Sequence, residues 1–335
     1  MQKVQNKKFR IFKQVSMKRD ASKRNFLGLT VTPLVLYMTF WTLFPVLWGF
    51  SLAFFEYSAR RSGGPILGLG GDNPFIGLQH FQSMLNFSAE APKWVQQFHM
   101  SFKTTLLFAL IILPLNLAIT LPLAALIENV NIKVRGIFRT FFFLPVLAPS
   151  AGVAIMWGYI FHPQKGLLNG IITIIGGKYV ATNWTGDQSL MIMGVPVALL
   201  AVIVAYLWQD LGYNLVIFIA ALQSIPDSVK DAARIDGVNS WQMFIYIILP
   251  LMKPTILLAS ILTMISSFQV FDIIQVMTPW GGTSGQTRVM SIDIYDNAFR
   301  FQRMGWASAI SIVLFLLVLA ISLVQSRMLD ADWEY

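Results

Sequence analysis

The chain has 335 residues, of which 56% are hydrophobic and only 12% are charged, and its 25 Lys and Arg outnumber its 16 Asp and Glu. Uncharged runs long enough to cross a hydrocarbon core of about 30 Å recur along it, so the composition predicts a polytopic membrane protein. The sequence contains no cysteine, which excludes disulfides, iron–sulfur clusters and thiolate zinc sites.

Six apolar segments are predicted to be membrane-spanning helices. They cover residues 26–55, 104–127, 140–161, 188–222 (interrupted at Asp210), 254–271 and 304–326. Lipid-exposed backbone must satisfy its own hydrogen bonds, and a β-barrel would show alternating segments of roughly 10 residues, which are absent. The predicted fold class is therefore all-α, with a transmembrane domain over residues 26–326.

The residues before the first span are strongly basic. Residues 1–25 contain nine Lys and Arg, and positive charge beside a membrane helix indicates the cytoplasmic side. Six crossings then place both termini, including the tail at 327–335, in the cytoplasm, with sixteen Lys and Arg in cytoplasmic segments against nine outside. A nucleic-acid-binding arm is the alternative interpretation. An orientation signal with lipid contact is simpler, so we expect membrane lipid and no nucleic acid as partners.

Three segments are predicted to lie on the external side. Residues 56–103 are too polar to span and form a candidate docking surface, and residues 272–303 form another. Residues 162–187 contain the apolar stretch 171–175, which is too short to cross and is predicted to be an interfacial or re-entrant helix.

Motifs of catalysis are absent from the sequence. There is no His-Glu-x-x-His zinc pair and no Gly-x-Ser-x-Gly elbow, and all three His fall in predicted external segments. The Gly177-Lys178 pair lacks the upstream glycine of a phosphate-binding loop. We therefore expect that the chain is not an enzyme and carries no cofactor. If ATP drives its function, another subunit must bind the nucleotide.

A polar island interrupts the apolar pattern after the fourth span. Ser224 followed by Asp227 has the spacing of a capping box, and Pro226 suits a first helical turn. A helix is therefore predicted to start near Ile225 and run for roughly 12 residues, or about 18 Å, which is too short to cross the membrane.

The end of this short helix is also marked. Gly237 suits the left-handed position that stops a helix, and Asn239-Ser240 can cap a second helix that runs toward Pro250. The island is thus predicted to fold as helix, glycine bend and helix. One interpretation is a docking element for another protein, and the alternative is a solvated loop helix without a partner.

This island, over residues 224–250, resembles the coupling loop of bacterial ABC importer permeases. The loop of that family reads Glu-Ala-Ala, three residues, Gly, nine residues and Ile-x-Leu-Pro. Here Asp231 stands in the place of Glu, and the other positions match: Ala232, Ala233, Gly237, Ile247, Leu249 and Pro250. The resemblance implies a coupling helix between spans 4 and 5 that docks into an ATPase subunit. It implies a coupling role for Asp231, Ala232, Ala233, Gly237 and Pro250.

Two carboxylates, Asp210 and Asp272, lie in or beside apolar stretches, where ionisable groups are costly and usually functional. Aromatic and amide side chains surround both, a mixture that suits the C–H faces and hydroxyls of a carbohydrate. The alternative is packing or hydrogen bonding between helices. The candidate substrate-path residues are Trp208, Gln209, Asp210, Tyr213, Asn214, Phe268, Gln269, Phe271 and Asp272.

Residues 208–237, 268–279 and 297–309 resemble the ABC importers of sugars and oligosaccharides. This resemblance, which covers about the last 240 residues, implies a permease that works by alternating access in a bacterial cytoplasmic membrane. It also implies several partners: a second permease that is a different chain, two ATPase subunits that bind ATP and Mg, an extracytoplasmic solute-binding protein and a carbohydrate substrate.

Three alternatives stay open at this point. An importer of a non-sugar solute would share the coupling loop. An ion-driven secondary transporter would show several paired intramembrane charges and internal repeats, which are not evident here. A membrane scaffold or receptor would use the short helix for docking alone.

Overall fold

A computed structural model of the chain describes residues 26, 28–61 and 63–328. The basic segment predicted at 1–25 and most of the tail predicted at 327–335 lie outside the described residues. In chain order the helices are α1 Gly28–Leu52, α2 Gln79–Met84, α3 Lys93–Asn129, α4 Ile132–Phe143, α5 Ser150–Ile160, α6 Leu167–Gly176, α7 Val197–Ser224, α8 Asp227–Ile235, α9 Ser240–Leu251, α10 Lys253–Phe268, α11 Asp272–Met277, α12 Met290–Tyr295 and α13 Met304–Met328.

Helices dominate the described residues, which confirms the predicted all-α class. Within residues 26, 28–61 and 63–328, strand is limited to two small antiparallel hairpins, β1 Gly63–Ile66 with β2 Leu69–Gly71 and β3 Met191–Ile192 with β4 Val195–Pro196. In the part of the chain that the structure describes, five helical segments are long and apolar enough to cross a membrane, and a bent pair, counted as one span, raises the number to six. Six crossings therefore agree with the sequence pattern.

The second span starts earlier than predicted, because α3 begins at Lys93 rather than near residue 104. Val95 and Phe98 are buried in one apolar cluster with Trp306 of α13, while polar residues of the same turns face outward. This stretch is therefore an amphipathic helix, and its polar face made it look too polar to belong to a span. The end of the predicted external loop is thus the first part of the span.

The third span is not one straight helix over residues 140–161. The α4 segment continues as a 3-10 turn, Leu144–Leu147, and the chain then bends by 100° before α5. Pro145 and Pro149 explain the break, because proline offers no N–H and disfavours helix in the residue before it. Ala148, which precedes Pro149, is accordingly extended.

The fourth and fifth spans also differ in their limits. The helix predicted from residue 188 starts at Val197, since the β3–β4 hairpin turns at Met193 and Gly194, both with positive φ. It then runs unbroken through Asp210. The helix predicted over 254–271 stops at Phe268, and three irregular residues separate α10 from α11.

The core lies between α3 and α7. Phe108 and Ile112 of α3 are buried in one cluster with Leu199 and Ile203 of α7, and Ile274 of α11 joins them. By contrast, no residue of α1 before Leu52 is buried within this chain. The apolar surface of α1 is therefore largely uncovered by the described residues.

Candidate functional site

A cavity of about 340 Å³ lies where α7 passes two interruptions in the helical bundle. One interruption is the bend between α4 and α5, and the other separates α10 from α11. Irregular backbone at membrane depth is tolerated where it lines a cavity or is buried in protein. The lining residues are Val146, Ser150, Tyr206, Gln209, Asp210, Tyr213, Ser266, Gln269, Val270, Phe271, Asp272 and Ile273.

The structure brings six of the nine candidate substrate-path residues together at this cavity. They are Gln209, Asp210, Tyr213, Gln269, Phe271 and Asp272. Tyr206 was not predicted, although it lies three, four and seven residues before the three from α7 and therefore on the same helical face. That spacing is the signal that could have identified it.

The other three candidates lie outside the cavity. Trp208 makes an edge-to-face contact with Trp157, with ring centroids 6.1 Å apart. Phe268 is buried in an apolar cluster with Ala109 and Met264. Asn214 is buried behind the cavity wall, where it is hydrogen-bonded to two other helices. These positions fit packing and helix–helix hydrogen bonding.

A chain of side-chain amides ends at Asp210. Asn214 Nδ2 donates to Thr263 Oγ1 at 2.6 Å and to Asn116 Oδ1 at 2.7 Å, and Asn116 Nδ2 donates to Asp210 Oδ2 at 2.7 Å. Thr120 Oγ1 donates to the backbone oxygen of Asn116. The chain joins α3, α7 and α10, so three spanning helices are tied together behind the cavity. Asn116 is an uncharged residue within a long apolar segment, and its role was not predicted from the sequence.

Neighbouring hydrogen bonds fix the other walls. Gln209 Nε2 donates to the carbonyl oxygen of Ala148 at 2.8 Å, which holds α7 against the bend between α4 and α5. Tyr206 Oη donates to Ser266 Oγ at 3.0 Å, which links α7 to α10. On the far side, the rings of Phe271 and Tyr295 lie 5.1 Å apart, so α12 supports the break that precedes α11.

The candidate coupling helix is α8, and its start differs from the prediction. Ser224 does not cap it: Ser224 Oγ donates to the Ala221 carbonyl, within the last turn of α7. Pro226 holds Ile225 in an extended conformation, so α7 ends and α8 starts anew at Asp227. The predicted capping box is therefore wrong, and α8 has nine residues rather than 12.

The end of α8 follows the prediction. Gly237 has φ +78°, and its N–H donates to Arg234 O at 3.1 Å while the N–H of Val238 donates to Ala233 O at 3.1 Å. This pair of bonds is a Schellman ending, which favours glycine at the left-handed position. Asn239 and Gln242 then form a reciprocal capping box at the start of α9, as their chemistry indicates.

The predicted coupling residues differ in exposure. Ala233 is buried against the body of the protein, whereas Ala232, Gly237 and Pro250 are exposed. Asp231 is exposed and pairs with Arg234, with 2.9 Å between Oδ1 and Nη1. Ile235 is 86% exposed, although the motif did not single it out.

Both ends of this loop are anchored in one core cluster. Ile225, just before α8, and Met252, just after α9, are buried together with Ala124 and Ile127 of α3 and with Phe218 of α7. A displacement of α8 would therefore be carried directly to α3 and α7. Beside the cluster, Glu128 of α3 forms ion pairs with Arg135 and Arg139 of α4.

A buried ion cluster around α12 was not predicted. Arg288 Nη2 lies 2.9 Å from Asp293 Oδ1 and 2.8 Å from Asp296 Oδ2, and all three side chains are almost fully buried. Ser101 of α3 donates to Asp293. Asp293, Asp296 and Arg300 share the face of one helical segment through their spacing of three and four residues, which is a weak signal that could have identified the cluster.

Comparisons with known proteins agree with this geometry. Residues 120–333 match the family described as binding-protein-dependent transport system inner membrane component. The chain is 32% identical over 264 residues to a probable ABC transporter permease protein of Bacillus subtilis, which covers 78% of this chain and 85% of that protein. It is 33% identical over 257 residues to a trehalose/maltose transport system permease protein of Thermococcus litoralis, covering 76% and 80%.

One solved structure extends the likeness to the whole fold. A bacterial ABC transporter involved in the import of the acidic polysaccharide alginate contains a chain that superposes with a TM-score of 0.76 at 23% identity. The superposition covers 95% of this chain and 99% of that one. The arrangement of α1 to α13 is therefore shared with an importer subunit.

Proposed function

The chain belongs to the family of binding-protein-dependent transport system inner membrane components, and we propose that it is one of two permease subunits of an ATP-driven sugar or oligosaccharide importer. Its similarity to ABC transporter permeases, which are not themselves enzymes, supports this role. The trehalose/maltose relative supports a sugar as substrate. The single observation that carries the proposal is the cavity at the two helix breaks, whose wall helix α7 packs in one cluster with the residues that flank α8 and α9.

The cavity has the chemistry that a sugar needs. Tyr213 and Phe271 offer aromatic faces for C–H groups, and Gln209, Gln269 and Asp210 offer acceptors for hydroxyls. Buried polar groups that lose their partners cost about 1–3 kcal/mol, so this lining favours a ligand rich in hydroxyls over an apolar one. Each of these side chains is assigned to the substrate path as a proposal.

This chain forms only half of the translocation pathway in the proposed assembly. Asp272 lines the cavity and is exposed in the single chain, so the cavity is open on that side. A second permease, proposed to be a different polypeptide, would close that side. Alternating access then requires the two permeases to rock about the substrate between outward-open and inward-open states.

We propose that α8 is the element on which the ATPase subunits act. Two ATPase subunits, which bind the ATP and Mg, would each dock on the coupling helix of one permease. In this chain the exposed surface of α8 is formed by Ala232, Ile235 and the Asp231–Arg234 ion pair. Because Ile225 and Met252 share a cluster with α3 and α7, closure of the ATPase pair would shift both spans. Gly237 and Pro250 shape the loop, and no cofactor is proposed on this chain.

The remaining partners follow from the orientation. The protein is an inner membrane component by family, and we place both termini and α8 in the cytoplasm of a bacterial cell. The segments between α1 and α3 and between α11 and α13 would then face a sugar-loaded binding protein. Lipid covers the apolar surface of α1, and no role in binding nucleic acid is proposed.

Purification of the assembly tests this function. Tagged chain is isolated in mild detergent from its native cells, copurifying proteins are identified, and ATP hydrolysis is measured with the copurifying binding protein and a panel of glycans. We expect an ATPase, a second permease and hydrolysis stimulated by one glycan. Stimulation only by a non-sugar solute would change the substrate class. A folded chain that brings down no ATPase would favour an ion-driven transporter or a scaffold.

A further inference from the structure

We propose that the cavity selects uncharged sugars and rejects anionic ones, and that Asp210 and Asp272 are the residues that set this selectivity. The inference rests on the proposed sugar-import function and deepens it by naming the charge class of the substrate. Three features of the cavity support this inference. They are the charges of the lining residues, the direction of the hydrogen bonds behind the cavity wall, and the carboxylate oxygens that have no hydrogen-bond partner within the described residues.

The lining carries negative charge without a counterion. Asp210 and Asp272 both line the cavity, and no Lys, Arg or His is among its lining residues in the described part of the chain. The partner of Asp210 is the neutral amide of Asn116, at 2.7 Å. Arg288, which is buried elsewhere in the protein, pairs with Asp293 and Asp296.

The amide chain behind the cavity ends on one of these carboxylates. Asn214 donates to Asn116, and Asn116 donates to Asp210, so the carboxylate is the final acceptor of the chain. This direction suits an ionised group, since an ionised carboxylate can only accept hydrogen bonds. Asp210 Oδ1 has no hydrogen-bond partner among the described residues and is left for a ligand.

Sugar hydroxyls complement this lining, and acidic sugars do not. A hydroxyl can donate to Asp210 Oδ1 or to Asp272, whereas a uronate carboxylate has no proton to donate. The uronate also adds a second negative charge at close range, and like charges repel more strongly in a low-dielectric site than in water. Repulsion of the wrong ligand is a common basis of specificity.

Direct binding to the purified assembly tests the proposal. Saturation-transfer NMR is recorded on the detergent-solubilised complex without the binding protein, so the selectivity of that protein does not contribute. The probes are trisaccharides of glucose, galactose and mannose, each compared with the uronate trisaccharide that differs only in its C6 carboxylates. We expect at least one neutral trisaccharide to bind at least tenfold more tightly than its uronate.

Two variants assign the selectivity to the cavity. In the D210N/D272N variant the tenfold preference should fall to within about threefold, since an amide can still accept from Asn116 and from hydroxyls. Asp272→Asn alone is the milder variant, because Asp272 makes no side-chain hydrogen bond within the described residues. Glu90→Gln, the same loss of charge at an exposed site outside the cavity, should leave the preference unchanged.

The outcomes separate this inference from the proposed function. Uronates that bind wild type as tightly as their neutral partners, or an undiminished preference in monodisperse D210N/D272N complex, would overturn the selectivity while leaving sugar import intact. Absence of binding by every trisaccharide, together with absence of glycan-stimulated ATP hydrolysis, would instead overturn the sugar-import function itself.

Discussion

Asn116 on α3 donates a 2.7 Å hydrogen bond to Asp210 on α7, across a distance of 94 positions in the sequence. Asn116 is fully buried and also accepts from Asn214, so one side chain connects the cavity to the interior of the bundle. These hydrogen bonds explain how the Asp210 carboxylate is held at the edge of a largely apolar core. It also makes a direct prediction about stability.

Asn116→Leu should destabilise the folded protein by about 1–3 kcal/mol, because it leaves Asp210 without its donor and Asn214 without one of its acceptors. Thermal unfolding of the detergent-purified protein measures the effect. Asn129→Leu is the matched control, since Asn129 is an exposed amide near the end of the same helix that bonds only to Ala125 O. Equal unfolding temperatures for the two variants would contradict a structural role of the amide chain.

A second prediction concerns Gly212, where α7 closely approaches α4. A Cβ atom at this position would lie 2.3 Å from the carbonyl oxygen of Phe142 and 2.8 Å from Val146 Cγ2. Gly212→Ala should therefore push the helices apart and cost roughly 1–3 kcal/mol, as overpacking does. Gly152→Ala is the control, because a Cβ there meets nothing within 4 Å. A stability of Gly212→Ala equal to that of the control would refute the close approach.

These contacts mark the limit of what the sequence predicts. Asp210 and Asp272 could be identified because charge in an apolar run is conspicuous, and Gly237 because few residues adopt its backbone conformation. Asn116 could not, because its importance arises only when α3 packs on α7. The bend between α4 and α5 was missed for another reason: Pro145 and Pro149 mark it, but the length of the apolar run pointed to a continuous helix.

The buried ion cluster around α12 should be sensitive to loss of its cation. Arg288→Met would leave Asp293 and Asp296 buried without their main counter-charge, and breaking a buried pair in this way costs about 3–5 kcal/mol. Arg300→Met is the comparison, since Arg300 is half-exposed and lies 3.8 Å from Asp296. We expect a large drop in unfolding temperature for the first variant and a small one for the second. The reverse order would show that Arg288 is not the counter-charge of the cluster.

His80 of α2 should make the stability of the protein sensitive to acid. Burial lowers the pKa of His80, whose ring lies edge-on to Trp306 with Nε2 3.3 Å from Phe55 O. The unfolded chain therefore binds a proton more readily than the folded one below the ordinary histidine pKa of about 6.5. Neutral His80 therefore makes its full contribution to stability above pH about 6.5. This contribution is lost as the pH falls from about 6.5 to the lowered pKa of His80 in the folded protein.

Unfolding temperatures at pH 7.5 and 5.5 test this dependence. Wild type should lose stability on acidification, and His80→Gln, which cannot take up a proton, should lose less. Because other groups also titrate in this range, the difference between the two proteins is the relevant quantity. An identical loss in both proteins would remove His80 as the cause.

The last prediction separates coupling from folding at Gly237. Gly237→Pro forces φ to about −65° where the structure has +78°, and it removes the N–H that donates to Arg234 O. Because the Schellman ending fixes how α8 meets α9, this variant should retain assembly and basal ATP hydrolysis but lose nearly all sugar uptake in proteoliposomes. Capture of sugar by the separate binding protein should be unchanged.

Gly237→Asn provides the control, since asparagine tolerates the left-handed conformation better than other non-glycine residues and keeps the N–H. A Cβ at this position meets nothing within 4 Å, so the added side chain faces no clash within the chain. Uptake by Gly237→Asn should therefore remain substantial while Gly237→Pro is inactive. This pattern attributes the loss to the backbone of the loop rather than to the bulk of a new side chain. Normal uptake by Gly237→Pro would refute a coupling role for the end of α8.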